Sequence, residues 1–227
     1  MSATFTVLKA LVASAIRDPD AKTFTDAAVG EMVNASLAEV ARFAPEMFQE
    51  DITLVADTLE YVLRSTEFSA TAIPEIEVMR VELWDSTNTP AERLALLPPA
   101  HAAYSPDSQA GWVNWGGTLA LPRSVWSAFD GNESDYYLRV WGYSPFVTLA
   151  SGSDTANVSE AQKQAVVTYC RLEALERLNA DRELYTQWQT RSGNSDVSPA
   201  GLMNMLSASR EEWRRKSRSL TRLRSQV

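Results

Sequence analysis

Four arginines near the C-terminus, Arg210, Arg214, Arg218 and Arg222, recur at every fourth position. On a helix this spacing stacks four guanidinium groups in one slowly spiralling row, where like charges repel by about 0.2–0.5 kcal/mol per pair. The chemistry open to such a row is recognition of acidic groups, because the planar guanidinium fork meets a carboxylate bidentately. The segment from Pro199 to Val227 holds seven Lys/Arg, six of them arginine, against two Asp/Glu, a local charge of +5. The remaining residues carry 14 basic and 27 acidic side chains, net −13. A row built against its own repulsion points to an acidic partner outside the segment. Beside it, Leu202, Leu206, Ser209, Trp213, Lys216, Leu220 and Leu223 alternate steps of four and three, an apolar seam with two polar interruptions. The seam is expected to pack on the body of the protein or on a neighbouring subunit. Row and seam together favour docking on protein over a solvated helix end or a grip on nucleic acid.

Other reactive residue types are sparse. The single cysteine, Cys170, sits in a helical pattern and is expected to be a buried, inert thiol. With one cysteine and one histidine, His101, the chain has neither a Cys/His zinc site nor a redox pair of cysteines. No nucleophile is placed to use His101, in the Pro-rich stretch Leu97 to His101. Asp18, Asp20 and Asp26 lie near Pro19 but lack the glycine and distal glutamate of a calcium loop, so they read as a helix-terminating turn. Gly116, Gly117 and Gly142 spell no phosphate-cradling loop. Asp57, Glu60, Glu75, Glu77 and Glu82 fall on strand patterns; a glycosidase would need two of them about 5–10 Å apart, and solvated sheet-face charges are the expectation. Of seven tryptophans, five (Trp84, Trp112, Trp115, Trp126 and Trp141) fall in one region. They read as core and interface side chains, with a sugar-stacking platform as the alternative. No catalytic, metal or cofactor residue is assigned, and the chain is expected not to be an enzyme.

At 227 residues, 45% hydrophobic and 22% charged, the chain is long enough for one sizeable folded domain or two small ones. No run of about 18 apolar residues marks a membrane span. Lys9 and Arg17 interrupt the N-terminal apolar stretch, so no signal peptide is expected. Net acidity argues against general nucleic-acid binding.

Apolar spacing predicts a helix over 4–16 (Phe5, Leu8, Leu11, Val12, Ile16), stopped by Asp18-Pro19-Asp20. A second is capped at Thr25 or Asp26 and faces inward through Val29, Val33, Leu37 and Val40, ending before Pro45. From about Met47 to Gly142 the texture becomes strand-like. Residues 51–55 and 58–63 read as strands around a turn, 75–84 as a strand with a bulge, and 111–117 and 136–141 as further strands. Pro90 to Leu97 reads as a short helix with Pro90 in its first turn, and four to six antiparallel strands are expected in all. Helix returns at Ser159, where Ser159 and Gln162 match a capping box. It buries Ala165, Tyr169, Leu172, Leu175 and Leu178 and is expected to continue to Trp188. Ser192 to Ser195 is a break, and the last helix starts near Pro199. The expected fold is α+β: a helical core from 1–45 and 157–198, an inserted antiparallel β-rich domain over 46–156, and a basic docking helix over 199–227.

The chain resembles the head–tail adaptor (connector) proteins of long-tailed bacteriophages. The resemblance lies in Arg17-Asp18-Pro19-Asp20, in Phe24-Thr25-Asp26 with Asn34 and Leu37, in Val140 to Pro145, in the loop with Asp154, and in the helix from Ser159. It implies a ring, usually of twelve copies, below the portal of the capsid. The implied partners are the portal protein, the next neck component (stopper) and genome DNA passing through the lumen without specific binding, with no membrane and a place in the virion. Carried onto this chain, the portal-docking set is Leu206, Arg210, Trp213, Arg214, Arg215, Arg218, Leu220 and Arg222. The inserted sheet is larger than in smaller members. A carbohydrate-binding module built on the Trp-rich sheet is the alternative, and a carboxylate-dependent hydrolase a third reading.

Overall fold

The computed structural model describes residues 3–55, 60–62, 77–96, 111–115, 118–121 and 135–224. The chain divides into two units, Met1–Glu46 with Phe146–Val227, and Met47–Pro145. The fold is α+β.

The first unit is helical: α1 (Phe5–Ala15), α2 (Asp26–Phe43), α3 (Glu160–Ala180), α4 (Arg182–Arg191) and α5 (Pro199–Arg224). A two-strand ladder, β1 (Ala3–Thr4) with β9 (Thr155–Ala156), closes one end. Each helix begins where the sequence supplies an acceptor for the free N–H groups of the first turn. The Thr4 hydroxyl accepts from Val7 N–H and that of Thr25 from Ala28 N–H. At α3 the box is complete: Gln162 N–H donates to Ser159 Oγ at 3.2 Å, and Ser159 N–H to Gln162 Oε1 at 2.7 Å.

The α3 helix does not run on to Trp188 as its periodicity suggests. Asp181 leaves helical geometry, and its carboxylate accepts from Glu183 and Leu184 N–H, ending one helix and starting the next. The helical unit also resumes at Phe146 rather than at 157, because Phe146, Leu149, Ala156 and Val158 all enter its core.

Three residues quoted in the resemblance serve this unit as backbone clamps. Asp18 is buried, and its carboxylate accepts from Lys22, Thr23 and Phe24 N–H at 3.0, 2.9 and 2.7 Å and from Ser192 Oγ at 2.7 Å. The turn after α1 is thereby fastened to the end of α4, where Gly193 takes a φ of 73° and Asn194 donates to Arg17 C=O. Asn34 exchanges two 2.9 Å bonds with the backbone of Leu149. Asp154 accepts from Ala150 and Ser151 N–H, both at 2.7 Å.

The second unit is a sheet in the order β2-β8-β4-β5-β6-β7-β3: β2 (Glu46–Thr53), β3 (Glu60–Val62), β4 (Glu77–Asp85), β5 (Pro90–Leu96), β6 (Gly111–Trp115), β7 (Thr118–Ala120) and β8 (Tyr136–Ser144). The β4–β5, β4–β8, β6–β7 and β3–β7 ladders are antiparallel, and the short β5–β6 ladder is parallel. The bulge expected in β4 appears as a register shift between Val78 and Arg80. The stretch from Pro90 is a strand, not a helix. Asp85 Oδ1 accepts from Thr87 and Thr89 N–H and Asn88 takes a φ of 64°, so a turn sends the chain back along β4. Pro90 sits at the first strand position, where a missing N–H is tolerated. β2 and β3 stand at opposite ends of the strand order instead of pairing around a turn. One face of β4 and β8 buries Val78, Val81, Leu83, Leu138 and Val140 with Ile52 and Leu119.

Burial raises the Asp18 pKa, but the Ser192 hydroxyl and three backbone N–H donors outweigh it and hold the group below its ordinary value. A lowered carboxylate contributes stability above the unfolded pKa and loses it as pH falls through the folded one. Asp18→Asn is therefore expected to cost about 2–3 kcal/mol at pH 7, the scale of hydrogen bonds to a charged acceptor. In urea unfolding at a series of pH values, the gap to wild type should shrink as pH drops below about 4.

Candidate docking surface

α5 opens on Pro199 at its first position, with Ser198 Oγ accepting from Gly201 N–H at 3.1 Å. Tyr185 OH and Gln189 Nε2 of α4 both donate to Val197 C=O, at 2.7 and 2.6 Å, and so fix the entry to the helix. The predicted seam then faces inward. Leu202, Leu206, Ser209 and Leu220 are buried against the unit's own core. Trp213, half-buried, sits between Tyr169 and Phe43, with ring centroids 4.9 and 5.8 Å away in edge-on geometry. At the polar interruption, Lys216 Nζ reaches Thr168 Oγ1 at 2.7 Å, Gln164 C=O at 3.3 Å and Glu212 at 3.1 Å.

Of the set carried over from the resemblance, Leu206 and Leu220 are therefore committed to the fold, at 1% and 2% exposure, and are not free to meet a partner. Trp213 is largely committed too. The arginines face the other way. Arg210 Nη2 meets Glu176 of α3 at 3.0 Å, and Arg215 Nε meets Glu211 one turn back at 3.2 Å. Arg214 and Arg218 are exposed and make no ion pair among the described residues. Arg222 lies on the helix, and its side chain falls outside the described residues.

The sheet carries a second concentration of functional groups. Directly opposed pairs of β4 and β8 share the face away from the core: Trp84 with Tyr137, Glu82 with Arg139, and Arg80 with Trp141. The Arg139 guanidinium lies 4.0 Å from the Trp84 ring and binds both Asp51 carboxylate oxygens, at 2.7 and 2.8 Å. The Arg80 guanidinium lies 4.6 Å from the Trp141 ring. Glu82 is buried here, not solvated as its strand pattern suggests, and accepts from Arg80 and from Trp84 Nε1. Trp84 and Trp141 are inclined by 53° and each has a guanidinium over its ring, so these two do not form a flat sugar platform. Asp57, Glu75, His101 and Trp126 lie outside the described residues, as do the side chains of Glu77, Trp112 and Trp115.

Cys170 is buried within 3.2 Å of Ser36 Oγ and 3.3 Å of Met32 C=O, and burial pushes its thiol up to about 12. It is an inert core residue. Among the described residues no group of three or more His, Cys, Asp or Glu is placed to hold a metal ion, and no helix is long and apolar enough to cross a membrane. No protein-family model matches this chain, and no curated protein does either.

Two substitutions separate the inner and outer faces of α5. Trp213→Ala, which removes a half-buried aromatic anchor, should cost about 2–3 kcal/mol in denaturant unfolding. Arg210→Ala breaks an exposed pair and should cost less than about 1 kcal/mol.

Proposed function

We propose that this chain is a structural adaptor of the head–tail connector kind, assembling as a ring under a phage portal and joining capsid to tail. The observation that carries the reading is the division of labour on α5. Its apolar seam is used up within the fold, while Arg214 and Arg218 stand exposed without an ion-pair partner among the described residues. A helix held rigid by its inner face can offer charge to an acidic surface without first paying for its own ordering.

The helical unit assembled from both chain ends, with a sheet inserted between them, also fits the architecture that the resemblance implies. In this reading the chain acts without chemistry of its own. The partners are further copies of itself, twelve being the usual number, the portal and a stopper-like neck component, and its place is the virion. Exposed ion pairs contribute only about 0–1 kcal/mol each, so repetition around the ring supplies the avidity. An acidic body repeated around a lumen repels DNA and lets it slide.

The double variant Arg214→Glu with Arg218→Glu spares the Arg210–Glu176 pair and should leave the thermal unfolding of the chain nearly unchanged. Co-sedimentation with a portal ring should be lost. Wild-type co-sedimentation by the variant would show that the row is only a solvated face.

A further inference from the structure

Leu11 belongs by spacing to the inward face of α1, yet it is 39% exposed, and Val7 one turn earlier is 48% exposed. Leu11 forms one wall of a groove of about 350 Å³ bounded by α1, α3 and α5. Ala15 and Val167 complete the apolar wall, and Lys163, Arg171 and Lys216 supply three cations. Two of these cations are already matched. Lys163 pairs with Glu160 at 2.5 Å and Lys216 with Glu212 at 3.1 Å. Arg171 is not. Its Nε–H is buried with no acceptor, and it enters no ion pair among the described residues. A buried donor of a charged group left without an acceptor carries its desolvation penalty. An incoming oxyanion would meet the rest of the guanidinium, because Arg171 as a whole is only half-buried and lines the groove.

We propose that this groove receives an acidic peptide segment of a partner protein, with one carboxylate seated on Arg171 and a neighbouring apolar side chain against Leu11 and Val167. Charge complementarity selects this occupant. The lining holds three cations (Lys163, Arg171, Lys216) and two carboxylates (Glu160, Glu212), an excess of one positive charge. A single carboxylate matches that excess, whereas a doubly charged phosphate would meet Glu160 and Glu212 with charge to spare. The apolar strip running from Leu11 to Val7 favours a peptide over a small free anion, because it offers area for side chains flanking the carboxylate. The site is separate from the arginine row of α5 and does not depend on the ring reading.

The test is amide NMR on the isotope-labelled full chain, titrated with acetyl-Leu-Glu-Leu-amide, with its Gln counterpart, and with inorganic phosphate. The Glu peptide should produce saturable shifts confined to the groove-lining turns of α1, α3 and α5. The Gln peptide, and the Glu peptide with the Arg171→Gln variant, should bind about tenfold more weakly, the loss expected for one charge-assisted hydrogen bond. Leu11→Asp changes an exposed side chain, keeps the fold and should also weaken the Glu peptide, so it decides the matter if Arg171→Gln fails to fold. Absence of localised shifts, or equal binding by wild type and the variants, would overturn the proposal. So would phosphate binding as well as the Glu peptide, and so would groove shifts that grow with protein concentration alone, which would mean that a second copy is the occupant.

Discussion

The burial of the middle of α3 among the other helices is the constraint on which the helical unit depends. Ala165, Val166, Thr168, Cys170, Leu172, Ala174, Leu175 and Leu178 are all buried and spread around most of the helix, leaving the side of Glu176 open. α3 correspondingly touches each of the other four helices. A helix with buried side chains over most of its circumference must be enclosed by its neighbours, and small side chains such as Ala165, Cys170 and Ala174 let those neighbours approach closely. The enclosure consumes the apolar faces of α1, α2, α4 and α5. Among the described residues of this unit, the large apolar side chains left exposed are Val7 and Leu11 on α1, Val147, and Met203 on α5.

The arginine row follows from this constraint. Because α5 must turn Leu202, Leu206, Trp213 and Leu220 toward α3 and α2, residues stepping by four drift away from the contact. Arg210 remains close enough to reach Glu176, while Arg214 and Arg218 are carried into solvent. The same geometry brings Glu212 and Lys216 to the groove in which Arg171 Nε is left without an acceptor among the described residues. Packing, rather than local charge preference, decides which cations are paired and which are free.

Features written in local chemistry were legible in the sequence. Thr25, the Ser159–Gln162 box, the Ser192–Ser195 break and Pro199 each act through neighbours a few residues away, and the helices start and stop there. The bulge in β4 announced itself as a slip of alternation. Features set by distant partners were not legible. Asp18 was readable as a turn residue, but its bond to Ser192 links positions far apart in the chain. Asp181 interrupts a pattern whose apolar spacing continues smoothly past it. Pro90 suits the first turn of a helix and the first position of a strand equally, and the turn at Asp85 and Asn88 decides between them. The burial of Glu82 depends on Arg80 and Trp84, which its own strand pattern does not reveal. Leu206 and Leu220 were legible as seam residues, while the surface they would meet became clear only from the packing of α3.

On this structure α5 is a folded part of the helical unit before any partner arrives, with its cationic face outward. Hydrogen exchange of the isolated full chain tests this most directly. Amides of α5 between Leu206 and Leu220 should be protected to a degree comparable with those of α3, since both belong to one packed core. Exchange of those amides at unstructured rates, while α3 stays protected, would contradict it and would make the arginine row a segment ordered only on docking.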